Sequence, residues 1–337
     1  TVYYMTTIKL PINMYDPTRD YNNYKDEYNN AIQEVLDKGN FINGNQVKEL
    51  ESQLAEYVNV KDCICVGNGT DALQIALMAF DIKPGDEIIT TPFTWISTSE
   101  VISLLGAKPI YVDIRKDTFA IDESKIEEAI TSKTKAILPV SLYGILPDYT
   151  KINEIAAKYN IPVIEDGAQS FGSIQNGKKS CGLTTIGCTS FFPTKPLGCY
   201  GDGGAIFTDN KELGNKMRAI KGHGALKRFN HKYIGVNSRL DTIHASVVQI
   251  KLKNFDTCLL NRQKVAERYN DVFINIDSVK IPTPLYNDQK QNGNSNKTEC
   301  AWAQYSLILD NNINRDELVS KLKEKGINVA IFYPNVL

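Results

Sequence analysis

The chain has 337 residues, 42% of them hydrophobic, and 38 Lys and Arg stand against 39 Asp and Glu for a formal net charge of -1 at pH 7. That balance excludes the basic footprint of a nucleic-acid-binding protein, and no apolar run approaches the roughly 20 residues a membrane-spanning helix needs. The seven cysteines (Cys63, Cys65, Cys181, Cys188, Cys199, Cys258, Cys300) lack CxxC spacing, which points to free thiols in a reducing, cytoplasmic compartment and not to disulfides or a zinc site.

Thr1 to Tyr4, which precede Met5, are set aside from the fold reading. Helical periodicity covers residues 24–36 and 46–57. From about residue 60 to 210 short apolar runs alternate with amphipathic stretches. The runs fall at 87–90, 109–114, 136–140, 161–166, 189–192 and 204–208, and the helices between them read "TDALQIALMAF", "WISTSEVISLL", "ESKIEEAI" and "YTKINEIAAKYN". This alternation predicts an α/β domain around a large, mostly parallel sheet. A second helical pair follows at 241–255 and 261–273. After an Asn/Gln/Gly-rich loop, "NDQKQNGNSNKTE", the pattern changes to a strand "WAQYSLIL", a helix "RDELVSKLKEKG" closed by Gly326, and a strand "INVAIFY". We expect a large domain over 5–255 and a smaller α+β domain over 256–337, completed by further C-terminal residues because the chain stops just after a strand.

In an open α/β sheet ligands sit beyond the carboxyl ends of the strands, and four features stand there. "VGNGTDAL" puts glycines and Thr70 at a helix start, which suits either an anion such as phosphate or a plain capped turn. "IPVIEDGAQS" ends a strand in Glu165 and Asp166; a carboxylate there can hold a cofactor's protonated ring nitrogen, although a helix cap is the commoner role. "TTPFTWIS" places Trp95 where an indole could stack on a flat ring or pack in the core. In "TSFFPTKPLGCYGDGGAIF", Lys195 is the only charged residue between Ser190 and Tyr200. An amine kept in a crowded, electropositive pocket would lose its proton readily and act as a Schiff-base nucleophile, whereas a structural lysine would need a carboxylate, for which the local sequence offers only Asp202. "GSIQNGKK" fails as a P-loop, since Lys179 stands where a Ser or Thr is required.

Phosphate anchor, stacking aromatic, strand-end Asp and isolated Lys, in that order, are the parts needed to use pyridoxal 5'-phosphate (PLP). With "NGTDALQIAL", "VIEDGAQSFG", "SFFPTKPLGCYGDGGAI" and "GVNSRLDTIHA", the chain from about Tyr24 onward resembles the DegT/DnrJ/EryC1/StrS family of sugar-nucleotide aminotransferases. The resemblance implies the fold-type I, aspartate aminotransferase-like architecture, with a sheet of the seven-stranded type. It implies that Lys195 binds the cofactor covalently and shuttles the proton, that Asp166 pairs with the ring nitrogen, that Gln169 lies near the ring's phenolic oxygen and that Trp95 stacks on the ring. Gly69, Thr70 and Ser190 would bind the phosphate, joined by Asn237 from the neighbouring subunit of a homodimer. Relatives with histidine at the lysine position are dehydratases, so the lysine favours transamination, with glutamate as amino donor and a nucleotide-linked keto-sugar as acceptor. The motifs are most like those of UDP-2-acetamido-3-oxo-glucuronate aminotransferases, in which Arg239 and Tyr333 would hold the substrate. Where those relatives read His-Tyr-Pro this chain reads Phe332, Tyr333, Pro334, a loss of a donor that keeps a 4-keto-6-deoxyhexose on UDP or dTDP as a candidate. Two alternatives are a PLP enzyme acting on free amino acids and a non-catalytic regulator that binds PLP or sugar nucleotide.

Overall fold

The structure, a computed structural model, describes residue 11 and residues 13–284 and 300–337. The Asn/Gln/Gly-rich loop and Met5, the expected start of the first domain, lie outside the described residues. Buried apolar runs form strands β1 (Asp62–Val66), β2 (Glu87–Thr90), β3 (Lys108–Tyr111), β4 (Thr134–Ile137), β5 (Ile164–Asp166), β6 (Ile186–Ser190) and β7 (Gly204–Thr208). A four-stranded and a three-stranded set join where Ile137 and Val140 bridge in parallel to Val163 and Asp166. The resulting seven-stranded order is β1-β7-β6-β5-β4-β2-β3, and β7 is the strand antiparallel to its neighbours. The expected mostly parallel sheet is therefore present, with the carboxyl ends of β1, β2, β5 and β6 on one edge.

Alternating side chains send β1 into two cores. Cys63 and Cys65 pack with Val47, Leu50 and Val248 of helices α2 (Asn45–Val58) and α7 (Thr242–Lys253), alongside Tyr28 of α1 (Lys25–Lys38). Ile64 and Val66 pack on the other face with Leu73, Ile75, Met217 and Ile220 of α3 (Gly69–Ala79) and α6 (Lys211–Ile220). Side chains cap the helix starts: Asn68, not Thr70, accepts from Asp71 N–H on α3, and Asp148 from Lys151 N–H on α5 (Tyr149–Lys158). Further helices include α4 (Ser97–Leu104), α8 (Phe255–Phe273) and α9 (Arg315–Glu324).

Three expectations need correction. β1 was absent from the predicted strands, because its five residues run straight into the Gly67 to Thr70 turn and that turn dominates the sequence pattern. "WAQYSLIL" gives a strand only at Ile308–Leu309 (β9), antiparallel to Val279–Lys280 (β8): Trp302 has a φ of 46°, and Ala303 N–H donates to Tyr143 O instead of to a strand. "INVAIFY" forms no strand among the described residues, and the Phe332 carbonyl instead accepts from the Tyr143 hydroxyl.

Tyr143 is thus a hub between the sheet edge and the C-terminal segment. It takes a φ of 60°, and Gly144 follows at 97°. A Cβ on Gly144 would lie 2.6 Å from the Trp302 backbone nitrogen. Gly144→Ala should therefore lower unfolding stability by about 2–4 kcal/mol in a denaturant titration, since both the backbone conformation and the packing resist a side chain.

Candidate active site

The edge where β1, β2, β5 and β6 end gathers most of the residues singled out above. Asp166, the last residue of β5, is 7% exposed. Its Oδ2 accepts from Thr98 Oγ1 at 2.8 Å and its Oδ1 from Ala168 N–H at 3.2 Å. Burial pushes this carboxyl above its usual range, and the two hydrogen bonds and the Lys195 charge oppose that rise.

Lys195 sits in the turn after β6, its N–H donating to Phe192 O at 2.9 Å, and its side chain is partly buried. Burial lowers the ammonium pKa, while the charge of Asp166 acts the other way. The sequence-based cause therefore needs correction: desolvation depresses this lysine, not an electropositive surrounding. Asp202 is exposed, and among the described residues no carboxylate lies within ion-pair distance of Lys195. A structural lysine would have such a partner.

The β1–α3 turn and the end of β6 form a small cup. A Cβ on Gly69 would lie 2.7 Å from Ser190 Cβ, so only glycine brings the helix start this close to the Ser190 hydroxyl. Thr70 Oγ1 and Ser97 Oγ are 2.9 Å apart across the same opening. Asn68 caps Asp71 N–H, and among the described residues nothing accepts from the N–H groups of Gly69 and Thr70. Free N–H groups at the start of a helix favour an anion.

Gln169 is 5% exposed. Its Oε1 accepts from Tyr143 N–H at 2.8 Å and its Nε2 donates to Tyr333 Oη at 3.3 Å. Tyr333 in turn meets Phe93 edge to face, the ring centroids 5.8 Å apart. Trp95 is 59% exposed, so the core-packing alternative fails; it lies one turn before Thr98, which donates its N–H to the Trp95 carbonyl. Asn237 and Arg239 are exposed. They flank Ser238, whose hydroxyl accepts from Gly67 N–H at 2.8 Å and donates to Asp71 Oδ2 at 2.6 Å. Both therefore stand at the rim of the cup, with no side-chain hydrogen bond to Lys195 or Asp166 in the same protomer. Sequence reasoning missed Thr98, Tyr143 and Ser238. The hydroxyl run after Trp95 could have suggested Thr98, but Tyr143 acts through its backbone and leaves no such signal.

The description "DegT/DnrJ/EryC1/StrS aminotransferase family" matches residues 22–337. The UDP-2-acetamido-2-deoxy-3-oxo-D-glucuronate aminotransferase of Pseudomonas aeruginosa is 49% identical over 310 residues, covering 92% of this chain and 82% of that protein. A pleiotropic regulatory protein of Geobacillus stearothermophilus is 40% identical over 325 residues, 96% of this chain and 84% of that one. Among solved structures, NtdA from Bacillus subtilis with bound cofactor PMP superposes with a TM-score of 0.88 at 31% identity, covering 99% of this chain and 75% of that one. The fold is that of the fold-type I enzymes, and the family is PLP-dependent.

Thr98→Val removes the hydroxyl that holds ionised Asp166 and keeps the side-chain shape. The Asp166 carboxyl should then rise further. A folded-state pKa above the unfolded one means the native state binds the proton more tightly, so the stability deficit grows as pH rises through the carboxyl's folded-state titration. Urea unfolding of the cofactor-free protein should show a loss of about 1.5–3 kcal/mol near pH 8 and a smaller one near pH 4.

Proposed function

Because the chain belongs to the DegT/DnrJ/EryC1/StrS aminotransferase family, we propose that it uses PLP to place an amino group on C3 of a UDP-linked 3-keto sugar, with glutamate as donor. The observation that carries this reading is Lys195: a partly buried amine, depressed by desolvation, with no ion-pair partner among the described residues and with the Asp166 charge acting on it.

The residues present fit the cofactor. The cup of Gly69, Thr70 and Ser190 would hold its phosphate, the Asp166 carboxylate its ring nitrogen, and the free N–H of Gln169 its phenolic oxygen, with the Trp95 indole against the ring. PLP supplies an electron sink for a carbon that loses a proton. Asp166 would keep a proton on the ring nitrogen, and Lys195 Nζ, its pKa lowered by burial, would anchor the cofactor and carry the proton away from and back to the substrate carbon. Asn237 and Arg239 point out of the protomer at the rim of the cup. Between α6 and Asn237 the apolar side chains of Leu226, Phe229 and Ile234 are 51%, 82% and 89% exposed. Both facts support a homodimer in which the partner subunit's Asn237 completes the phosphate site and Arg239 helps to hold the sugar nucleotide.

The position of the new nitrogen follows the 49% identical relative, whose name puts the oxo group on C3 of a UDP sugar. The Phe332, Tyr333, Pro334 motif is the point at which we infer a difference at C6. Phe332 meets Tyr333 edge to face at 5.7 Å and presents no donor to a carboxylate, which favours an uncharged C6 and keeps a 4-keto-6-deoxyhexose nucleotide as the second reading. The site would lie mainly in the proposed 5–255 domain, with Tyr333 supplied by 256–337, and the product would feed amino-sugar glycan assembly from the cytoplasm. No helix among the described residues is long and apolar enough to cross a membrane, and six of the seven free cysteines are buried. The regulator reading would leave Lys195, Asp166 and the anion cup together without a role.

With PLP, the wild type should show a visible band that glutamate bleaches. Lys195→Ala should lose both and at least about 10³-fold in turnover of a UDP-3-keto sugar. Bleaching followed by turnover with a simple 2-oxo acid, and none with any keto-sugar nucleotide, would instead assign the enzyme to free amino acids. Phe332→His should raise the preference for a C6 carboxylate over a C6 hydroxymethyl by about tenfold in kcat/KM.

A further inference from the structure

Glu165 precedes Asp166 on β5, points to the opposite face of the strand, and is fully buried. Nothing in the reaction proposed above uses it. Its Oε1 accepts from Ser180 Oγ at 2.6 Å and Ser141 Oγ at 3.2 Å, and its Oε2 from Cys181 N–H at 2.8 Å. The order of the surrounding protons follows from counting hydrogens. With Glu165 ionised, Ser180 spends its single hydrogen on the carboxylate, so Ser170, 2.6 Å away, donates to Ser180; Ser141 does the same, so the Tyr149 hydroxyl donates to Ser141 at 2.8 Å. Ser170 also lies 3.5 Å from Glu165 Oε1, a marginal contact beside the path through Ser180.

Both branches of this network reach backbone that adjoins Gln169. Ser170 is its chain neighbour. Ser141 opens the turn in which Tyr143 N–H donates to Gln169 Oε1 at 2.8 Å, and Ser141 N–H is itself tied to the Asp166 carbonyl at 3.0 Å. A main-chain N–H can only donate, so the Gln169 oxygen must face Tyr143, and its NH2 gives one hydrogen to the Tyr333 hydroxyl at 3.3 Å and has a second to give. We propose that Glu165 is a positioning residue: its carboxylate clamps the strand end, the loop after it and the 141–144 turn together, and so holds the Gln169 amide in the one orientation that donates to the phenolic oxygen of the cofactor. The proposal rests on the PLP reading. Burial pushes the Glu165 carboxyl up to about 7, against the pull of its hydrogen bonds; the other titratable groups around it are Asp166, Tyr149, Cys181 and Cys188.

The test is a pH titration of the visible absorbance of the Lys195-bound cofactor in four proteins: wild type, Glu165→Gln, Gln169→Ala and the double variant. A donor on the phenolic oxygen stabilises the deprotonated form, so losing it raises the midpoint, whereas removing a nearby negative charge lowers it. Positioning predicts that Glu165→Gln raises the midpoint by about one pH unit, a tenfold change, and adds nothing in the Gln169→Ala background. An unchanged midpoint, a lowered one, or a shift of the same size with and without Gln169 overturns it. Ser170→Ala, which removes one hydroxyl, reads the same link with a smaller rise should Glu165→Gln not fold. A wild type without a Lys195-dependent band would show that the PLP reading itself has failed, an outcome distinct from a normal band insensitive to Glu165.

Discussion

Burying an anionic carboxyl at the end of β5 is the constraint around which the site is arranged. Removing an unpaired carboxylate from water costs several kcal/mol, and among the described residues Asp166 has a threonine hydroxyl and one N–H as direct partners. These hydrogen bonds and the charge of Lys195 offset part of that cost without neutralising the group, which leaves Asp166 above the ordinary carboxyl range. A site left in this condition is poised for a cation. On the proposed reading a protonated ring nitrogen would supply one, and cofactor binding would then relieve the buried charge.

The same burial acts on Lys195 with the opposite sign. Desolvation disfavours the charged form of each group, raising the acid and lowering the base, while their mutual attraction works against both shifts. The pair lies beyond ion-pair distance, so desolvation wins and the amine is the better nucleophile for it. A closer contact would have locked Lys195 as an ammonium. Separation between the two groups is therefore as much a part of the site as either residue.

What the sequence disclosed, and what it hid, divides along physical lines. The chain order of strands and helices on the sheet was legible because each buried run is bounded by turn residues, and the charge-free surroundings of Lys195 marked it as unusual before any geometry was known. β1 escaped because its five residues carry too short a pattern to stand apart from the glycine turn that follows. The C-terminal strands were overread because an apolar run states only that a segment is covered; at Trp302 to Tyr305 and at Phe332 the covering is done by Tyr143 and its neighbours, through a bent backbone and side-chain contacts. Thr98 and Tyr143 were missed for a related reason. One acts through a hydroxyl common on helices and the other through a backbone N–H, and neither is a chemistry-bearing residue by type.

Tyr143 also explains how the small C-terminal part of the chain can influence chemistry on the large sheet. Its N–H orients Gln169, its carbonyl accepts from Ala303, and its hydroxyl donates to the Phe332 carbonyl. One residue in a left-handed conformation therefore fixes both the Gln169 amide and the segment carrying Tyr333 and Phe332. Any displacement of that segment is felt by Gln169 from two directions, through Tyr143 and through the Tyr333 hydroxyl. The proposed roles of Phe332 and Gln169 would then not be independent: a substitution that repacks Phe332 shifts the carbonyl that holds Tyr143, and with it the Gln169 amide.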